Sequence, residues 1–447
     1  MTSTNEPTAD AAADALLADP FGPLRTKGYL VLLVIAAVLG VFLSAGAYGF
    51  LQLVDELQRT FYTTLPKSLG FVGAPPWWPL PLLGTAGLLV ALTVQYLPGN
   101  GGHQPAEGLK TKGGAATVAE LPGILLAAVA SLALGAVIGP EAPLIALGGG
   151  LALCAFRLLK PDADARTQAV VAASGSFAAI SALLGSPLLG AFLLMEASGL
   201  GGPMLGIVLL PGLLAAGVGS LIFIGLGSWT GLSAGSLVIP SLPAVSRPDV
   251  GQFGWALVIG VAAAFLGIGI QRLALRLQPQ VNRKRLVLTP LMGLVTAGAA
   301  IAYAEATGHG SSDVLFSGQS DLPQLLLHTS GYTAGALTLL IACKGIAYCV
   351  CLSAFRGGPI FPALFLGAAG GLALSHLPGL PFIAGAAMGM GAMSVAMLKL
   401  PMTSVLLATL LLGADGVTVM PLVIVAVVVC HVTASRLVPA PSGPQPT

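Results

Sequence analysis

Charge along this chain is confined to islands. Ten stretches contain no Asp, Glu, Lys or Arg: Gly28–Val54, Ser68–Ala106, Leu121–Pro140, Thr167–Met195, Ala197–Ser246, Val250–Gln271, Leu286–Ala304, Leu322–Cys343, Gly357–Leu398 and Gly416–Ser435. A helix that crosses a bilayer needs about 20 apolar residues, so several of these stretches hold two passes. Backbone groups inside lipid must be satisfied within the segment, which makes the crossing elements helices. A dozen or more helical segments are therefore expected, several broken by Gly or Pro. The class is an all-α polytopic membrane protein, with no room for a large soluble domain.

Composition agrees. Only 8% of the 447 residues are charged and 55% are hydrophobic, against roughly 25% charged in soluble domains. The net charge of +2 offers no field for nucleic acid or for basic partners. The 60 Gly and 33 Pro follow no G-X-Y period, which excludes collagen. Residues 1–24 carry Glu6, Asp10, Asp14 and Asp19 without a basic n-region, and are expected to be a disordered cytoplasmic tail. Residues 438–447 form a Pro-rich tail, and neither end is expected to carry a regulatory domain. The five cysteines lie in apolar runs and are expected to pack rather than to pair or bind metal.

The sequence repeats itself. Pro143–Gly148 (P-L-I-A-L-G) aligns with Pro362–Gly367 (P-A-L-F-L-G), each followed by Gly-Leu-Ala-Leu. Setting Pro187 against Pro401 brings Ala172-Ala173 opposite Ala386-Ala387 and Gly175 opposite Gly389. Two membrane repeats follow, 25–226 and 251–437, joined by a linker at 227–250. Transporters built from repeats place their substrate where broken helices meet near the bilayer midplane. Arg25 and Lys27, Lys110 and Lys112, and Arg283-Lys284-Arg285 are candidates for the cytoplasmic side.

Three breaks hold the candidate chemistry. Glu141 is the only charge between Glu120 and Arg157, and it stands in G-P-E-A-P where a helix should begin. A carboxylate there faces unpaired amides and the positive end of the helix dipole, so it can sit at an anion site and compete with the anion. In the second break, G-G-P-I-F-P at Gly357–Pro362, the amides of Ile360 and Phe361 would point into the same space. The third, L-P-G-N-G-G-H at Leu97–His103, adds Asn100 as a neutral donor and His103 as a titratable group. None of the three breaks contains Lys or Arg, which suits an anion that must leave again.

At these residues the chain resembles the CLC family of chloride channels and proton-coupled chloride transporters. The family pattern G-S-G-I-P is similar to Gly99-Asn100-Gly101-Gly102-His103, G-[KR]-E-G-P to Gly139–Pro143, and G-G-I-F-x-P to Gly357–Pro362. P-L-L-G-A-F-L-L-M-E at Pro187–Glu196 resembles the stretch leading into the family's inner acidic pair. The resemblance implies two inverted helical repeats, a homodimer with one pore per subunit, and Glu141 as gating glutamate and proton acceptor. Asn100, Gly101, Gly139, Pro140, Ile360 and Phe361 would bind the anion, and Glu196 and His103 would offer a proton route. Bound chloride or a similar anion is expected, and no other cofactor.

The departures bear on coupling. Ala197 stands where the family has its inner proton-transfer glutamate, and no tyrosine follows Tyr348 to serve as the pore tyrosine. Pro140 replaces a basic residue and Asn100 a serine. The expected function is permeation of a small monovalent anion, chloride first, across the cell membrane, with proton coupling weak or absent. The alternatives are a proton-coupled antiporter for chloride, fluoride or nitrate, an intramembrane enzyme using Ser174 or Asp415, and a non-conducting structural or sensing protein. Ser174 and Asp415 lack convincing catalytic partners, so an enzyme is not expected. Glu120 and Asp415 are expected to act as caps or interface charges, and Lys344 to snorkel or to pair with a buried acid.

Overall fold

The computed structural model describes residues 22–109, 116–161, 164–198, 203–230, 238–239, 242 and 247–438. The tail 1–21, Lys110 and Lys112, much of the linker and the tail from 439 lie outside the described residues. Among the described residues the regular structure is helical, with one isolated antiparallel bridge, Gly139 to Gly358. The main helices are α1 (Lys27–Arg59), α2 (Pro79–Tyr96), α3 (Leu121–Ala133), α4 (Glu141–Leu159), α5 (Ala165–Leu184), α6 (Pro187–Ser198) and α7 (Pro203–Thr230). They continue with α8 (Val250–Arg283), α9 (Arg285–Thr307), α10 (Ala334–Ala354), α11 (Ile360–Leu374), α12 (Phe382–Leu398), α13 (Pro401–Leu411) and α14 (Gly416–Leu437). Eight helices among the described residues are long and apolar enough to cross a membrane, and six more apolar helices are shorter.

Local sequence sets where these helices start and stop. Asp164, Asp249 and Thr333 cap α5, α8 and α10, accepting the amides of Thr167, Gln252 and Ala336 at 3.0, 2.9 and 3.1 Å. Gly185 and Gly308 end α5 and α9 in the left-handed conformation that glycine adopts without strain. Glu120 accepts the Thr117 amide at 2.7 Å just ahead of α3, the capping role expected of it. Asp415 stands at the N-cap of α14 but makes no side-chain capping bond. The five cysteines are free thiols, and four are buried.

The chain forms two compact units: residues 1–50, 111–121 and 144–235, and residues 51–110, 122–143 and 236–447. Each unit leaves apolar side chains bare, Phe42 and Leu221 in the first, Phe265 and Val287 in the second. Lipid is the solvent such faces suit.

The internal duplication reappears in the packing of each unit. In the first, α4 crosses α5 so closely that a Cβ on Gly148 would strike the Gly175 carbonyl, and one on Gly175 the Gly148 carbonyl. In the second, α11 crosses α12 with Gly367 and Gly389 in the same mutual contact. These are the glycines that the two sequence alignments set opposite each other. Small residues let helix backbones approach where lipid provides no hydrophobic drive for association.

Of the two roles expected of Lys344, snorkelling is not the one found. Lys344 is fully buried in α10. Its Nζ donates to the carbonyls of Asp313, Val314 and Leu315 at 2.9, 3.2 and 3.0 Å and lies 4.3 Å from the centre of the Phe365 ring. Asp321 and Asp313 are the acids that face it. A long apolar run leaves a lysine no route to water, so backbone carbonyls serve instead.

Gly389→Val should destabilise the second unit by about 1–3 kcal/mol through overpacking. Gly370→Ala, on α11 where an added Cβ meets nothing within 4 Å, should not. Thermal unfolding in detergent checks this, and equal unfolding temperatures for the two variants would show that the crossing is not tight.

Candidate functional site

The site lies in the second unit, where two chain breaks meet. Gly139 donates its amide to the Gly358 carbonyl at 2.7 Å, and Gly358 returns the bond to Gly139 at 2.6 Å. This two-bond bridge joins the residues that lead into α4 and α11. Both helices start here, so their first amides have no partner within the helix.

Glu141, the first residue of α4, is wholly buried. Its Oε1 accepts the Phe361 amide at 3.0 Å, and the amides of Ile360 and of Glu141 itself also face the carboxylate. Its Oε2 has no hydrogen-bond partner among the described residues. The space it fills depends on two glycines. A Cβ on Gly139 would meet both carboxylate oxygens, and one on Gly358 would meet Oε2. The result is a slot walled by backbone and lined by N–H donors, with the Glu141 carboxylate inside it.

Tyr348 secures the second break: buried in α10, it donates its hydroxyl to the Pro359 carbonyl at 2.6 Å. Sequence reasoning counted this residue only as the last tyrosine, because nothing local connects it to a turn eleven residues on. Ser131, at the end of α3, donates to the Ala127 carbonyl and accepts the Arg356 amide at 3.2 Å.

Arg356 corrects the expectation that no fixed positive charge stands at the breaks. It immediately precedes Gly357 and is only 3% exposed. Its Nε donates to the Asn100 carbonyl at 3.3 Å, and its Nη1 to the Phe355 carbonyl at 3.2 Å. The signal was in the sequence, as the charge that bounds the run Gly357–Leu398, but the folding of the Asn100 loop onto it was not.

The other candidates are distributed as follows. Gly139, Pro140, Ile360 and Phe361 are buried, with Gly139, Ile360 and Phe361 around Glu141. Asn100 is exposed at φ 50°, and its link to the second break is its carbonyl rather than its side chain. Gly101 is buried at φ 68°, where a Cβ would lie 3.3 Å from Arg356 Cγ. His103 is half-buried and its Nε2 pairs with the Gly108 carbonyl in its own loop. Glu196 is half-buried in the last turn of α6, in the first unit. Ser174 is spent on the Val170 carbonyl one turn back in its helix. Among the described residues no cluster of His, Cys, Asp and Glu could hold a metal ion.

A multi-helix membrane scaffold, with a buried carboxylate among helix-start amides at paired breaks, defines a class of ion-handling membrane proteins. Residues 86–435 match the family model described as voltage gated chloride channel, and the chain belongs to that family. It is a multi-pass membrane protein. Relatives from Salmonella paratyphi A and Salmonella schwarzengrund are 28% identical over 363 residues and 29% over 365, and both are named "Putative ion-transport protein YfeO". Each alignment covers 80% of this chain and 84% of the relative. Among solved structures, a slow cyanobacterial Cl-/H+ antiporter superposes with a TM-score of 0.74 at 20% identity, over 91% of this chain and 94% of that one. A CLC-type fluoride/proton antiporter gives 0.63 at 17%, over 91% and 96%. The expected CLC-like helical fold is the fold found.

Replacing Gly358 with alanine should expel the carboxylate, because the added methyl takes the position of Oε2. A crystal structure of Gly358→Ala should show Glu141 rotated away and its bond to Phe361 lost. A carboxylate still seated on the Phe361 amide would mean that the slot is not limited by glycine.

Proposed function

We propose that this protein carries a small monovalent anion, chloride first, across the cell membrane through the slot that the Glu141 carboxylate fills. The observation that supports this reading is the position of that carboxylate: fully buried, on the Phe361 amide, with its second oxygen unpartnered. Donors that hold a tethered anion would hold a free one of similar size. Glu141 is then the gate. Ionised, it blocks the site; protonated, it loses its hold on the amides and leaves the slot to the permeating ion. The protein would work as a homodimer with one path per subunit, and without enzymatic chemistry.

We propose further that anion flow is only weakly coupled to protons. A stoichiometric exchanger needs a second titratable group to relay the proton, and Ala197 cannot titrate. Glu196 is adjacent, but neighbouring helix positions point about 100° apart, so its carboxylate faces another surface. The second reading, proton-coupled exchange, draws support from the two solved structures above, both titled antiporters.

The decisive experiment measures anion efflux from liposomes holding purified protein, anion by anion and across pH. Chloride efflux should rise as pH falls, by up to about tenfold per unit while the carboxylate is mostly ionised. Glu141→Gln should flatten that profile; an unchanged profile would remove Glu141 from the gate. In the same vesicles, a chloride gradient that drives protons uphill in a fixed ratio would establish exchange and overturn weak coupling.

A further inference from the structure

Tyr348 is wholly buried in α10 and has one hydroxyl proton, which goes to the Pro359 carbonyl at 2.6 Å. That carbonyl and the Ile360 N–H are the two ends of one peptide unit. The unit is trans, so its oxygen and its hydrogen point in opposite directions. A hydroxyl that fixes the oxygen therefore aims the hydrogen, and the Ile360 amide is one of those that face the Glu141 carboxylate. Tyr348 is also the titratable side chain that faces Glu141. A single line of polar groups thus runs from phenol to carbonyl, and through the peptide to N–H and carboxylate.

The second break needs such a hold. Gly357 and Gly358 leave the backbone free to turn, and Pro359 has no N–H with which to anchor itself. Successive peptide units are secured from different directions. The amide and the carbonyl of Gly358 are both bonded to Gly139, which fixes the units before and after Gly358. The Pro359–Ile360 unit comes next and is held by Tyr348, and the unit after it donates the Phe361 amide to Glu141. Without the hydroxyl, the middle unit of this series would have no tie from α10. That helix is itself firmly seated, because Lys344, one turn before Tyr348, donates to three carbonyls.

We infer that Tyr348 is a positioning residue for the anion slot: through the Pro359–Ile360 peptide it aims and strengthens the Ile360 N–H, which grips whichever anion, carboxylate or free ion, occupies the slot. This deepens the anion-transport reading and rests on it. Tyr348 does not itself bind the ion, because its proton is spent on the carbonyl. Hydrogen bonds joined end to end polarise one another, so a donor on the carbonyl makes the N–H of the same peptide a better donor.

Tyr348→Phe removes the hydroxyl and keeps the ring. With the Ile360 donor weakened, ionised Glu141 is held less firmly and yields sooner to its protonated form. The rise in chloride efflux from liposomes should therefore move to higher pH, by about half a unit to one unit. In a Glu141→Gln background, chloride titrated calorimetrically should bind about three- to tenfold more weakly once Tyr348→Phe is added. Incorporating 3-fluorotyrosine at position 348, whose more acidic hydroxyl is a stronger donor in nearly the same volume, should move the efflux profile the other way, to lower pH. A role confined to packing would lower the unfolding temperature of Tyr348→Phe but leave the parent's pH profile and chloride affinity in place, and that result would overturn the inference. If Tyr348→Phe does not fold, the fluorotyrosine protein decides, and a profile identical to the parent's would overturn the relay. Should the relay fail while parent vesicles still pass chloride, anion transport stands without it. Parent vesicles that pass no anion would sink the transport reading, and the calorimetric comparison would still decide the relay.

Discussion

Everything at the centre of the second unit depends on keeping one carboxylate out of water. An ionised carboxyl in an apolar interior is tolerated only with donors around it. The chain supplies them by breaking two helices at the same point and turning the unpaired amides of their first turns toward Glu141. The reciprocal Gly139–Gly358 bonds hold those breaks together, and the lack of side chains at these two positions makes the space. Amides and dipoles of this kind bind anions without adding a full positive charge.

The buried cations support that centre in distinct ways. Lys344 gathers three successive carbonyls of the segment after α9 and rests on Phe365, one turn along α11 from Phe361. Four residues beyond it on α10, Tyr348 holds the Pro359 carbonyl. One face of α10 therefore fixes both the break and the helix that follows it. Arg356 ties the break to the Asn100 loop, which gives that loop a defined position relative to the slot.

Glycine does two kinds of work in this chain. At Gly139 and Gly358 it vacates space for a functional group. At Gly148, Gly175, Gly367 and Gly389 it lets helices touch backbone to backbone, twice over in the same pattern. The repeated crossing explains why small-residue matches between the halves carry information despite their weakness one by one. Each pair is needed by both helices of a crossing, because a Cβ on either glycine would strike the backbone of the other.

The sequence by itself determined the class. Long runs without charge, interrupted by Gly and Pro, allow only helices in lipid, and the position of Glu141 at a helix start follows from G-P-E-A-P alone. The amides of Ile360 and Phe361 were legible for the same reason, since a proline after two glycines restarts a helix. Only the tertiary structure decided what met what. Tyr348 on Pro359, Lys344 on three carbonyls and Arg356 on Asn100 are contacts between segments 11 to 256 residues apart, and no local pattern encodes them. Periodicity and motif record what a residue asks of its neighbours in the chain, whereas the partner of a buried charge is set by which distant backbone the packing brings within 3 Å or so.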